Sequence, residues 1–125
     1  GVQMGARMVS AAESPVHRNW KDMIVNAKET DTVFLNRQGP GPALRALRTE
    51  RTTRLELEPP ANIMGELANA LDLYFGGDME AAIALSGQVA GRIESVKPVA
   101  EILAETIAEF EAVTAELGAK YGRAG

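Results

Sequence analysis

The spacing of apolar residues changes several times along the chain, and each change predicts an element. Val2 to Val9 is a short apolar segment interrupted by Gly5, which predicts a buried strand that ends in a turn. Ser14-Pro15 offers a hydroxyl cap followed by proline at the first helical position. Val16, Trp20, Met23, Ile24 and Ala27 then follow at helical spacing, until Thr30-Asp31 closes the helix. Thr32 to Leu35 is a short β-type run. Gly39-Pro40-Gly41-Pro42 is a loop, because its prolines lack a donor and its glycines are conformationally permissive. Arg45, Arg48, Arg51 and Arg54 recur every third residue beside Leu44 and Leu47; in a helix they would sweep across one broad face. Leu55-Glu56-Leu57-Glu58 alternates like an edge strand until Pro59-Pro60 stops it.

The remainder reads as helical. Ile63, Leu67, Leu71 and Tyr74 form a stripe that ends at Gly76-Gly77, and Asp78 is placed to cap a next helix containing Met79, Ile83 and Val89. Ser95 to Pro98 opens the longest helix. Val99, Ile102, Leu103, Ile107, Phe110, Val113 and Leu117 line one side of it, while Glu101, Glu105, Glu109 and Glu116 face water. No internal repeat or low-complexity tract interrupts this order.

Composition narrows the function classes. Apolar residues make up 46% but aromatics only 5%, so the core is built from Leu, Ile, Val, Ala and Met and suits packed helices. A net charge of −4 argues against nucleic acid as a partner, since phosphate backbones need a basic surface. The absence of cysteine excludes disulfides, thiolate metal sites and cysteine nucleophiles, and fits a reducing, cytoplasmic setting. No apolar run approaches the ~20 residues that span a bilayer. Gly1 to Val9 lacks the long apolar core of a signal segment.

Three groups of residues could carry chemistry. A strand that turns at Gly5 into a helical region presents backbone N–H groups to an anion, and barrel enzymes hold phosphate at such bends; a plain turn is the competing reading. His17 is the only histidine. It lies three residues after Ser14, where a local hydrogen bond is the expected role rather than catalysis. The arginine row could hold an anionic cofactor such as a nicotinamide dinucleotide, against a solvated face paired with Glu50, Glu56 and Glu58. The glutamates of the last helix have no histidine at ligand spacing, so no metal site is expected.

The ordered set of segments adds to this reading. Gly1-Val-Gln-Met-Gly-Ala-Arg-Met-Val9, Glu13-Ser-Pro-Val-His17, Trp20-Lys21, Thr30-Asp-Thr-Val33, Gly77-Asp78, Ser86-Gly-Gln-Val-Ala-Gly-Arg-Ile93 and Pro98-Val-Ala-Glu-Ile102 resemble the end of the barrel in nitronate monooxygenases (2-nitropropane dioxygenases). The resemblance implies an α/β TIM-barrel protein of which this chain is the C-terminal third, mainly α-helical with one or two short strands. Residues 1–37 would supply the last barrel strand and its helix, 38–60 an irregular Arg-rich connection, and 61–125 a C-terminal helical subdomain. It implies FMN as cofactor of the full-length protein. The family holds the FMN phosphate with backbone amides that correspond here to Gly5 and Ala6 in the Met4-Gly5-Ala6 bend, and approaches the flavin with a segment matching Ser86, Gly87 and Gln88. Ala6 stands where the family usually has threonine, so a hydroxyl contact to phosphate is missing. Met8 replaces the usual phenylalanine.

The family's catalytic histidine lies upstream of the last barrel strand, and no residue here takes that role, so no catalytic residue is assigned. The implied reaction is oxidation of alkyl nitronates or nitroalkanes with O2. An FMN-dependent enoyl-ACP reductase or NADH:quinone reductase of the same barrel is the first alternative. A non-enzymatic helical interaction module is the second. A small-molecule substrate is expected, with neither nucleic acid nor membrane as partner. The isolated chain is expected to hold no FMN. Its unpaired Val2–Val9 edge is expected to pair with a second copy in a homodimer or to stay mobile.

Overall fold

The computed structural model describes residues 1–122. Its helices are α1 (Ala6–Val9), α2 (Arg18–Asn26), α3 (Glu50–Leu57), α4 (Ala70–Tyr74) and α5 (Val99–Tyr121), with 3-10 turns at Ile63–Leu67 and Gln88–Arg92. The strands β1 (Thr32–Leu35) and β2 (Leu44–Leu47) pair antiparallel, from Thr32 opposite Leu47 to Leu35 opposite Leu44. The far edge of β2 is taken by the segment around Leu85. Ala46 bridges Leu85, the Leu47 amide donates to Ala84 O at 2.9 Å, and the Ser86 amide donates to Arg45 O at 3.1 Å.

The N-terminal segment departs from expectation. Residues 1–4 form no regular structure, and Ala6–Val9 is a single helical turn in place of the strand read over Val2–Val9. A strand exists only where neighbours take up its N–H and C=O groups, and none flanks this segment among the described residues. The Met8 and Val9 amides turn back to Gly5 O instead, at 2.9 and 3.0 Å. The cap of α2 also moves. His17, not Ser14, starts the helix, its Nδ1 accepting from the Asn19 amide at 3.0 Å. Ser14 belongs to the preceding turn, since its amide donates to Ala11 O and its carbonyl accepts from Lys21.

Residues 38–60 are more regular than their composition suggests. Thr49 nucleates α3 through a reciprocal cap: its Oγ1 accepts from the Thr52 amide at 3.1 Å, and the Thr52 Oγ1 accepts from the Thr49 amide at 2.8 Å. The Glu80 carboxylate takes up two more helix-start amides, Glu50 at 3.1 Å and Arg51 at 2.8 Å. The helix so started runs through Leu55 to Leu57, where an edge strand had been read. The arginine row is therefore split: Arg45 lies in β2, Arg48 follows it, and Arg51 and Arg54 lie in α3. Arg48 pairs with Glu56 at 3.1 Å, as the solvated reading expects, while Arg51 pairs with Glu66 at 2.7 Å.

The helix expected after Asp78 is absent. Asp78 instead closes a turn, accepting from the Glu80 amide on Oδ1 at 3.0 Å and from the Ala81 amide on its carbonyl at 3.1 Å. Ala82, Ile83 and Ala84 are successively buried. A strand between two covers buries consecutive residues in this way, whereas a one-faced helix does not. The stripe from Ile63 to Tyr74 is likewise broken, into a 3-10 turn and the short α4.

Two apolar clusters result. One joins Ala6, Trp20, Ile24, Leu47, Leu73, Ala82, Ala84, Ala90 and Ile93; the other joins Val33, Leu35, Ala46, Leu55, Ile63 and Ile83. Trp20 stacks on Tyr74 with centroids 4.6 Å apart, and its Nε1 has no partner among the described residues. Helix α5 forms as expected, but its apolar side is left bare: Ile102 is buried, whereas Leu103, Ile107, Phe110, Val113 and Leu117 are exposed.

Lys21 is a buried cation that no carboxylate accompanies among the described residues; its Nζ donates to Ala12 O at 3.1 Å and Ser14 O at 2.8 Å. Lys21→Met keeps the stem volume but strips both carbonyls of their donor. The variant should lose about 1–3 kcal/mol, read as a lower urea midpoint at unchanged m-value. An unchanged midpoint would mean that water replaces the ammonium.

Candidate functional site

The Met4-Gly5-Ala6 bend lies at the start of α1. Gly5 O accepts the Met8 and Val9 amides, while the first amides of a helical turn have no acceptor inside it. No side chain caps α1. A methyl group built on Gly5 would meet no atom within 4 Å, so there is open space beside it. Ala6, by contrast, is buried in the first apolar cluster. Met4 is half-buried.

Ser86-Gly87-Gln88 leads into the second 3-10 turn. Ser86 is buried and tied to β2 by its amide, whereas Gly87 and Gln88 are exposed. Gly87 sits at φ −75° and ψ 169°, and a Cβ there would also meet nothing within 4 Å. Gly91, four residues on, is the opposite case: a Cβ would come 2.5 Å from the Glu29 backbone N and Cα. Close packing therefore accounts for Gly91, against the chain leaving α2, and not for Gly87. The 3-10 turn packs on α1 and α2, and Ala90 shares a cluster with Ala6, so the turn that follows Gly87 lies beside the turn that follows Gly5.

Residues that the sequence did not single out hold this arrangement. Arg7 Nη1 donates to Ser95 O at 2.7 Å, and Glu13 Oε2 accepts from the Val99 amide at 2.9 Å. The loop after α1 is thereby fastened to the start of α5. Beside it, Lys97 Nζ lies 2.6 Å from Glu105 Oε1. The hydrogen bond to Glu105 raises the Lys97 pKa above its ordinary value, against a smaller opposing effect of burial, so the group stays an ammonium through neutral pH.

His17 makes the local hydrogen bond expected of it, and the neighbouring Asn19 Nδ2 donates to Gly77 O at 2.9 Å. Among the described residues no group of three or more His, Asp and Glu side chains could hold a metal ion. No described helix is long and apolar enough to cross a membrane.

Residues 1–109 match the nitronate monooxygenase family, and the chain belongs to it. Among solved structures it is similar to FabK from Thermotoga maritima, with 31% identity and a TM-score of 0.84 over 96% of this chain and 40% of that one. It is also similar to a point mutant of that FabK, with 32% identity and a TM-score of 0.79 over 96% of this chain and 37% of that one. The chain thus spans about two fifths of the length of these relatives. No curated protein matches it significantly. Family and neighbours together imply a fragment of a TIM-barrel protein. The chain's own sheet has two antiparallel strands.

Proposed function

We propose that this chain is part of an FMN-dependent oxidoreductase and supplies one side of its cofactor site. The observation that carries the reading is the open space beside Gly5 and Gly87, on segments whose following helical turns pack against each other in a chain of this family. A phosphate oxygen approaches a main-chain amide only where no side chain intervenes, and the open space at Gly5 fits that demand. The Gly5 and Ala6 amides would donate to the phosphate. Gln88, exposed beside Gly87, would hydrogen-bond the flavin or the substrate, and the Ser86 amide on Arg45 O would fix that segment against β2. Bound FMN supplies the electron transfer; the protein's part is to hold it in register with its substrate.

Within this class, oxidation of alkyl nitronates with O2 is the reading the family match favours. A second reading, reduction of an enoyl thioester, is favoured by the likeness to FabK. The native gene product separates them. Nitrite release from propyl-2-nitronate in air, with no reduced nicotinamide added, is expected. Oxidation of NADH or NADPH that depends on crotonyl thioester, without nitrite release, would replace the first reading by the second. A purified protein that holds no FMN would remove both.

A further inference from the structure

The outer face of the two-stranded sheet carries a charge arrangement that the proposed cofactor site does not use. Phe34 and Arg45 are direct cross-strand partners, and Phe34 is 41% exposed. The Arg45 guanidinium carbon lies 5.2 Å from the Phe34 ring centroid, and that of Arg37 lies 5.9 Å from it. A guanidinium stacked on a ring keeps its N–H edge free for an oxyanion while its plane is held by the stack. Arg45 uses Nη1 on Thr32 Oγ1 at 3.1 Å. Neither arginine has a carboxylate within ion-pair distance among the described residues, whereas Arg18, Arg48, Arg51 and Arg92 each have one.

The loop that carries Arg37 is itself preset. Asn36 sits at φ 58°, in the left-handed region that few side chains adopt, and its Nδ2 donates to Pro40 O at 2.9 Å and Pro42 O at 3.0 Å. A side chain at Gly39 would overlap the Asn36 amide, so the loop closes tightly on that residue. Its strain and its internal bonds place Arg37 at the rim of a cavity of about 550 Å³ that Phe34, Gln38, Leu55 and Glu56 also line. Glu56, the acidic residue of that rim, is paired with Arg48.

We propose that Arg37, Phe34 and Arg45 form a binding site for a phosphorylated small molecule, with the guanidiniums held on the Phe34 ring taking phosphate oxygens and the cavity that Arg37 and Phe34 line, and Arg45 does not, taking the rest. Two uncompensated cations steadied by one aromatic ring, in a chain of net charge −4, are suited to a di-anion rather than to general electrostatic attraction. The site rests on the sheet and its loop, so it stands or falls separately from the flavin reading.

The test is titration of the native gene product with pyrophosphate and with ADP, followed by calorimetry and through the Arg Nε–Hε NMR signals of Arg37 and Arg45. Saturable shifts at Arg37 and Arg45 are expected. Arg37→Ala should weaken binding at least tenfold. Arg37→Lys should weaken it several-fold although the charge is kept, because the planar stack is lost, and Phe34→Leu should do the same. Arg92→Ala, on an exposed ion pair with Glu29, should leave binding unchanged. Equal affinity for the two probes means that the phosphates alone are read; tighter binding of ADP means that a nucleotide is. Shifts that do not saturate, or an Arg92→Ala effect equal to that of Arg37→Ala, overturn the site.

Discussion

FMN titrated into the isolated 125-residue chain should keep the fluorescence of the free cofactor, with no one-to-one end point. The segments proposed to face it are the Gly5–Ala6 amides and the exposed Gly87–Gln88 stretch. Hydrogen bonds to a charged group contribute about 1.5–3 kcal/mol each, so two amides on a phosphate supply roughly 3–6 kcal/mol. Association forfeits about 4–15 kcal/mol of rigid-body freedom before any contact helps. The surplus is small or negative, and the expected Kd is weaker than about 1 mM. In the relatives, which are about two and a half times as long, the unmatched portion is available to complete a site. The missing hydroxyl at Ala6 lowers the expectation further. Quenching that saturates at one FMN per chain with a micromolar Kd would show that these segments suffice, and the division of the site across a longer protein would be wrong.

What could be read from the sequence follows from how local each cause is. β1 was legible because Thr32-Val33-Phe34-Leu35 is β-prone by itself, and residues 39–42 because proline and glycine exclude regular pairing. The run of α5 was legible from its period, but its cover was not, since period reveals which side is apolar and not what lies against it. Leu55-Glu56-Leu57-Glu58 fits either period over four residues, and the deciding signal was the Thr49–Thr52 cap upstream. The segment after Asp78 failed for the opposite reason: Ala82 to Ala84 lies extended because β2 and the two clusters surround it, a cause distant in sequence. At the candidate site the glycines were singled out through the family resemblance. Arg7 was not, because its partner Ser95 is 88 residues away. Nor was Lys21, whose acceptors are main-chain carbonyls that no residue type announces.

Gly91→Ala should destabilise the chain and Gly87→Ala should not, although the two lie four residues apart in one segment. At Gly91 the new methyl would stand 2.5 Å from Glu29 N and Cα and 2.6 Å from the Lys28 carbonyl carbon. These are main-chain atoms with no rotamer to yield, so the 3-10 turn must lift off the end of α2 and loosen Ala90 in its cluster. Overpacking of this kind costs about 1–3 kcal/mol and more where backbone must move, which in a chain of this size lowers Tm by on the order of 10 °C. At Gly87 the backbone already has a conformation that alanine adopts freely, and the methyl meets nothing within 4 Å. The substitution should leave stability unchanged or raise it by about 0.4–1 kcal/mol, through the lower entropy of the unfolded chain. The same methyl should nonetheless weaken FMN binding in the native gene product if Gly87 faces the cofactor side. A thermal melt of both variants, paired with FMN retention of the native protein carrying Gly87→Ala, separates the two roles. Equal destabilisation by both would remove Gly87 from the proposed site and return it to packing, and full FMN retention with Gly87→Ala would do so on the functional side.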